Sequence, residues 1–211
     1  MPVLLHIDSS IRRTGSTSRE LSAFFAQEWK AAHPGAGYVY RDLATDPVPH
    51  LTHGIREHLY DPAGGHHGET EQERELAARL IAEIREATTI LIGVPMYNYN
   101  IPSTLKAWFD WIVVPRHQVI PGAGALLKGK QVVLTSARGG SNSMVPSREP
   151  RDHVEPYLRH VLASIGLDED LTFVQAELTM AHVAPPLAQF IPAADKSKAT
   201  AIETLRKLAT V

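Results

Sequence analysis

The strongest constraint in this chain is an unbroken apolar run, Thr89-Ile90-Leu91-Ile92-Gly93-Val94, closed by Pro95. A run without alternation suits a strand buried on both faces, as in a parallel sheet covered by helices on each side. Pro95 should stop the strand, because it offers no ladder donor. Next comes Met96-Tyr97-Asn98-Tyr99-Asn100, where large rings alternate with amides. After Pro102, the residues Leu105, Trp108, Phe109 and Ile112 recur at helical spacing and predict a helix. Two rings and two amides therefore occupy a loop between a strand's carboxyl end and a helix start. Ligands of open α/β sheets bind at that edge. Flat apolar walls beside backbone amides suit a planar heterocycle with polar edges.

The first segment has the same logic. Residues 3–8 read as a strand, followed by a polar turn and a helix with Leu21, Phe24, Phe25 and Trp29 on one face. The turn carries Ser10, Thr14, Ser16, Thr17 and Ser18. Thr17 and Glu20 have capping-box spacing, which starts the helix near 16–18. A strand, a hydroxyl-rich loop and a helix N-terminus make an anion site, because orphan amides and the positive dipole end face one spot. The loop lacks the Gly-Lys-Ser/Thr ending of a Walker A motif and the spacing of GxGxxG. It fits a terminal monoester phosphate better than a pyrophosphate. Arg12 and Arg13 read as solvated loop arginines outside the site.

Residues 38–42 suggest a second strand. The stretch 47–68 is rich in Pro, Gly and His and reads as a long irregular loop, a candidate lid. Its histidines (His50, His53, His58, His66, His67) lack carboxylates at ligand spacing, so no metal site is expected. A helix over 69–87 opens with Thr70 and Glu73 at capping-box spacing. A strand over 131–135 ends in Ser136-Ala137-Arg138-Gly139-Gly140, and the glycine pair lets backbone approach a flat ligand. A loop at 115–129, a helix over 151–165, a strand over 171–176, a connection over 180–192 and a last helix with Ile202, Leu205 and Leu208 complete the chain. Strands and helices alternate, which predicts one domain over 1–211, an α/β three-layer fold with a doubly wound parallel five-stranded sheet in the order 2-1-3-4-5. The first and third strands then flank the switch point. A phosphate falls on the first loop and a flat ring between the third and fourth, the arrangement that FMN requires.

Composition narrows the alternatives. A net charge of −2 over 211 residues argues against nucleic acid as the main partner. It is also far from the strongly acidic docking surface of an electron carrier. The chain has no cysteine, which excludes thiol catalysis and iron–sulfur clusters. No GxSxG elbow suggests a serine hydrolase. The start of the chain has no signal-peptide pattern and no run reaches membrane-span length, so a soluble cytoplasmic protein is expected.

The string from Pro95 to Trp108 (PMYNYNIPSTLKAW) closely resembles the pattern of the FMN-dependent azoreductases, also described as NADH:quinone oxidoreductases. Ser9-Ser10 with Ser16-Thr17-Ser18 resembles that family's phosphate loop, and Ala137-Arg138-Gly139-Gly140 its fourth-strand loop. The stretches 111–121 and 141–148 depart from the pattern. The resemblance implies a flavodoxin-like homodimer with non-covalent FMN, NADH or NADPH as co-substrate, and ping-pong two-electron reduction of a quinone or azo compound. It implies that Ser10, Ser16, Thr17 and Ser18 hold the phosphate. It further implies that Pro95, Met96, Tyr97, Asn98 and Tyr99 line the ring, and that Ser136, Ala137, Arg138, Gly139 and Gly140 contact its far edge. Backbone amides near 97–99 are expected to stabilise negative charge on the ring. No side-chain catalyst is expected, since the cofactor carries the chemistry. The apolar stretch 108–114 would suit a dimer interface. The rival reading is a flavodoxin-like carrier that binds FMN without reacting with NAD(P)H.

Overall fold

The computed structural model describes residues 1–61, 63–114, 127–141 and 152–211. In chain order the elements are β1 (Val3–Asp8), α1 (Thr17–Ala32), β2 (Gly37–Asp42), α2 (His53–Tyr60), α3 (Glu71–Glu86), β3 (Thr89–Pro95) and α4 (Ser103–Ile112). Then follow β4 (Gln131–Ala137), α5 (Val154–Ala163), β5 (Asp170–Ala176), two 3-10 turns (Thr179–His182, Pro185–Phe190) and α6 (Ile191–Leu208). The five strands form one sheet, order β2-β1-β3-β4-β5, with every pair parallel. This is the expected order.

β3 is central, and each of its residues is buried. Alternate side chains feed two cores. Ile90, Ile92 and Val94 join Leu80, Ile84, Leu105, Trp108 and Leu158 on one face. Leu91 joins Leu21, Phe25, Trp29 and Leu205 on the other. Fully burying each such aliphatic side chain contributes about 1.5–3 kcal/mol, so β3 anchors both layers. The register sets Asp8 of β1 beside Gly93 of β3, and Pro95 beside Ala137 of β4. The loops after β1, β3 and β4 therefore leave the sheet at one edge.

Several boundaries differ from the sequence reading. Pro95 does not end pairing: the Met96 N–H donates to the Ala137 carbonyl at 3.0 Å, so the ladder closes one residue beyond the proline. β4 runs through Ala137. The stretch 47–68 is not irregular throughout, because it contains α2. Thr52 caps that helix by accepting from the Ile55 N–H, and Ile55 and Leu59 are buried. The helix lies so close to the segment after it that a Cβ on Gly54 would stand 2.5 Å from the Glu69 nitrogen. Trp111 Nε1 donates to the Pro49 carbonyl at 2.7 Å and pins the start of this connection. The apolar residues of 108–114 are core: Trp108, Phe109, Trp111, Ile112 and Val114 are each at most 1% exposed, so this is not an open interface. The Thr70–Glu73 capping box forms as expected. Most of the loop expected at 115–129, most of the departing stretch 141–148, and residue 151, where α5 was expected to begin, lie outside the described residues.

Candidate functional site

The loop between β1 and α1 is built from serine hydroxyls. Ser16 is the N-cap of α1, yet its side chain makes no capping bond. It donates instead to Ser10 Oγ at 2.9 Å and lies 3.3 Å from Ser18 Oγ. The Thr17–Glu20 capping box does not form, because Ser16 is the N-cap and Thr17 is already inside the helix; Glu20 pairs with Lys198 Nζ of α6 at 2.5 Å. The first-turn amides of α1 have no intrahelical acceptor. Three hydroxyls and a helix N-terminus thus converge on one spot. Gly15, at φ +62°, makes the turn that brings Ser16 back over Ser10.

Tyr97 joins this loop to the next. Its hydroxyl accepts from the Ile11 N–H at 3.1 Å and lies 3.1 Å from Ser10 Oγ. After it, Tyr97 and Asn100 exchange both backbone bonds across a two-residue turn, at 2.9 and 3.0 Å. Asn98 and Tyr99 at its corner have φ +48° and +70°. Both being positive matches a type I′ turn, easy for asparagine and strained for tyrosine. The His153 N–H holds it by donating to the Tyr99 carbonyl at 3.0 Å.

These loops enclose a cleft of about 270 Å³. Of the residues expected at the site, Ser10, Ser16, Thr17, Ser18, Pro95, Met96, Tyr97, Ala137 and Gly139 line it. Asn98, Tyr99, Ser136, Arg138 and Gly140 do not. The turn carries Asn98 and Tyr99 outward, and Tyr99 is 55% exposed. Ser136 is buried beneath the wall, its Oγ without a hydrogen-bond partner among the described residues. Arg138 turns away to Asp152 at 2.7 Å, and the Gly140 carbonyl accepts from the Leu178 N–H. Sequence reasoning missed Arg12, Gly15, Thr179, Met180 and Val183, which also line the cleft. Arg12 supplies an exposed guanidinium beside the serine loop. The last three follow β5, whose carboxyl end shares the edge with β4. That adjacency was the available signal.

Charge behind the loop is partly buried, with two carboxylates, Asp8 and Asp42, facing the Arg19 guanidinium. Asp8 accepts from Ser22 Oγ at 2.7 Å and from the Tyr40 hydroxyl at 3.0 Å. Burial, with Asp8 nearby, pushes the Tyr40 phenol up. For Asp42 burial works against ionisation, but hydrogen bonds from Arg19 and the Ala44 amide outweigh it and hold the carboxyl below its ordinary range. A separate hollow of about 400 Å³, lined by Leu59, Ile81, Arg85 and Val114 among others, lies on the helical face rather than at the strand ends.

An all-parallel 2-1-3-4-5 sheet, with a hydroxyl loop and an aromatic loop meeting across its switch point, defines a flavodoxin-like protein. The chain belongs to the family described as having the flavodoxin-like fold, whose model matches residues 3–197. It is 41% identical over 213 residues to an FMN-dependent NADH:quinone oxidoreductase of Frankia casuarinae, covering 100% of each chain. It is 39% identical over 180 residues to FMN-dependent NADH:quinone oxidoreductase 3 of Pseudomonas aeruginosa, covering 84% of this chain and 82% of that one. Its fold matches an azoreductase from Bacillus anthracis (TM-score 0.77, 22% identity, covering 100% of this chain and 99% of the other). It also matches an FMN-dependent NADH-azoreductase of B. anthracis in complex with FMN (TM-score 0.76, 22% identity, covering 99% and 100%).

Proposed function

We propose that this protein is an FMN-dependent NAD(P)H oxidoreductase that reduces quinones, azo compounds or both by ping-pong two-electron transfer. The observation that carries this is the joining of the serine loop and the ring wall through Tyr97. It stands in a chain 41% identical, over its full length, to a named FMN-dependent NADH:quinone oxidoreductase. The residues fit a flavin monophosphate. Ser10, Ser16, Thr17 and Ser18 would hold the phosphate, with Arg12 as an exposed counter-charge. Pro95, Met96 and Tyr97 would form one wall of the ring site, and Ala137 and Gly139 the other. When bound, FMN would supply the hydride and electron chemistry between the nicotinamide and the acceptor.

The chain's own part is to position and to exclude water. The Met96 and Tyr97 amides are already committed to the Ala137 and Asn100 carbonyls. Neither amide is therefore free to stabilise negative charge on the ring, and Asn98 and Tyr99 stand outside the cleft lining. Met180 and Val183, which line the cleft, are 40% and 60% exposed. They offer an apolar edge for a quinone ring, and a second copy of the chain would cover what the substrate leaves open. A homodimer in the cytoplasm is the working assembly. Among the described residues, no helix is long and apolar enough to cross a membrane.

Steady-state kinetics test the reading. Protein loaded with FMN, assayed with NADH and a benzoquinone at several fixed concentrations, should give parallel double-reciprocal lines. Absence of turnover with FMN loaded, or intersecting lines, would contradict it.

A further inference from the structure

We propose that Arg19 is a positioning residue for the cofactor's phosphate: its guanidinium grips the Ser10 carbonyl from behind the serine loop and so sets where Ser10 and Ser16 present their hydroxyls. This inference rests on the FMN reading. Arg19 is in the first turn of α1, on the side away from the cleft lining. Its Nη2 donates to the Ser10 carbonyl at 2.6 Å, and its Nε donates to the same oxygen at 3.2 Å. The other side of the fork is anchored. Nη2 reaches Asp42 Oδ1 at 2.5 Å, Nη1 reaches Asp42 Oδ2 at 3.1 Å and the Tyr40 hydroxyl at 3.2 Å. Nη1 also lies 3.6 Å from Asp8 Oδ2. The side chain is 14% exposed.

Three features make this more than a surface ion pair. First, the loop has few fastenings of its own. Its internal contacts are between the Ser10, Ser16 and Ser18 hydroxyls and, at 3.3–3.4 Å, between Ser10 Oγ and the Arg12 backbone, and Ile11 stands out in solvent. The Arg19 bonds to Ser10 tie that loop to the ends of β1 and β2. Second, the guanidinium's charge is already met by two carboxylates, Asp42 and Asp8. It therefore acts by geometry, whereas Arg12 at the cleft face acts by charge. Third, the task needs a planar fork. A lysine ammonium cannot span the Ser10 carbonyl, Asp42 and the Tyr40 hydroxyl at once.

The test separates a role at the phosphate from general stabilisation. Riboflavin has the same ring and ribityl chain as FMN but no phosphate. Dissociation constants for both flavins are measured by fluorescence titration on wild type, Arg19→Gln, Arg19→Lys and Asp42→Asn, with melting curves alongside. The expected result is that Arg19→Gln weakens FMN about ten-fold or more while riboflavin changes less than two-fold. Arg19→Lys and Asp42→Asn should show the same selective loss to a smaller degree. Equal losses for both flavins, or an unchanged ratio, would overturn the role assigned to Arg19. Should Arg19→Gln fail to fold, the other two variants decide by the same criterion. A wild-type protein with no preference for FMN over riboflavin would overturn the cofactor reading beneath it, a result distinct from an unchanged ratio in the variants.

Discussion

Gly93 sits where β3, β1 and α1 converge, and replacing it with alanine presses directly on the buried charge behind the serine loop. A Cβ there would stand 2.4 Å from Asp8 Oδ1, 3.3 Å from Ser22 Oγ and 3.5 Å from the Ser18 carbonyl. The first distance is far inside contact, and the Asp8 side chain has nowhere easy to go. It is buried, accepts from Ser22 and Tyr40, and faces Arg19. To make room it must swing and lose the Ser22 bond, and a hydrogen bond to a charged group is worth about 1.5–3 kcal/mol. Residual overpacking adds about 1–3 kcal/mol. Because the bond loss relieves part of the clash, the sum is bounded at roughly 2–4 kcal/mol, or about 5–15 °C in Tm for a chain of this size. Urea unfolding of Gly93→Ala, Asp8→Ala and the double variant measures it. The cost of Gly93→Ala should shrink clearly in the Asp8→Ala background, since the two residues share one space. A Gly93→Ala protein within about 0.5 kcal/mol of wild type would refute this reasoning.

Other outcomes follow from the same geometry. Ser16→Ala and Ser18→Ala should each weaken FMN by about 1 kcal/mol, roughly five-fold, read by fluorescence titration; unchanged affinity would remove the phosphate from this loop. Arg12→Ala should weaken FMN by about two- to five-fold at low salt and by less in high salt, because an exposed charge is screened; a loss independent of salt would count against a counter-charge role. Stability should fall as the pH drops from about 4.5 toward 2. Hydrogen bonds from His67 and from the Ala63 and Gly65 amides hold the Asp61 carboxyl at about 2, below its ordinary 3.8. Burial opposes ionisation of Glu69, but the His67 amide, His66 and Arg74 hold it at about 2, below 4.5. A carboxyl depressed on folding stabilises above its unfolded value, and that stability is lost as pH falls through the folded one. Asp61→Asn should therefore flatten the acid limb of a pH–melting curve, and an unchanged limb would contradict the assignment.

The parts of the fold legible in the sequence were those where one physical demand acted alone. β3 is buried on both faces, so its apolar run had one reading, and α4 showed its core stripe at Leu105, Trp108, Phe109 and Ile112. The Thr70–Glu73 box is local and formed as spaced. What was missed involved competition at long range. Thr17 and Glu20 had the same spacing, but the helix takes Ser16 as its N-cap, and Ser10, brought close by the loop, draws the Ser16 hydroxyl. α2 has only Ile55 and Leu59 to bury and sits among prolines and glycines, so its period was hidden. Tyr97, Asn98 and Tyr99 read as one wall, yet the positive φ values at Asn98 and Tyr99 send only Tyr97 inward. Arg12 lacked any sequence mark separating it from a solvated loop arginine. Met180 and Val183 come to the cleft only because β5 pairs with β4.

On the proposed reading, this cleft carries electrons from a nicotinamide to an organic acceptor through FMN. The most direct measurement is anaerobic: load the purified protein with FMN, add NADH, then NADPH in a parallel sample, and follow the flavin's visible band. The band should bleach rapidly with at least one of the two and recover on adding a quinone or an azo dye. A flavin that binds but stays oxidised with both nucleotides would contradict it and leave the fold as that of an electron carrier.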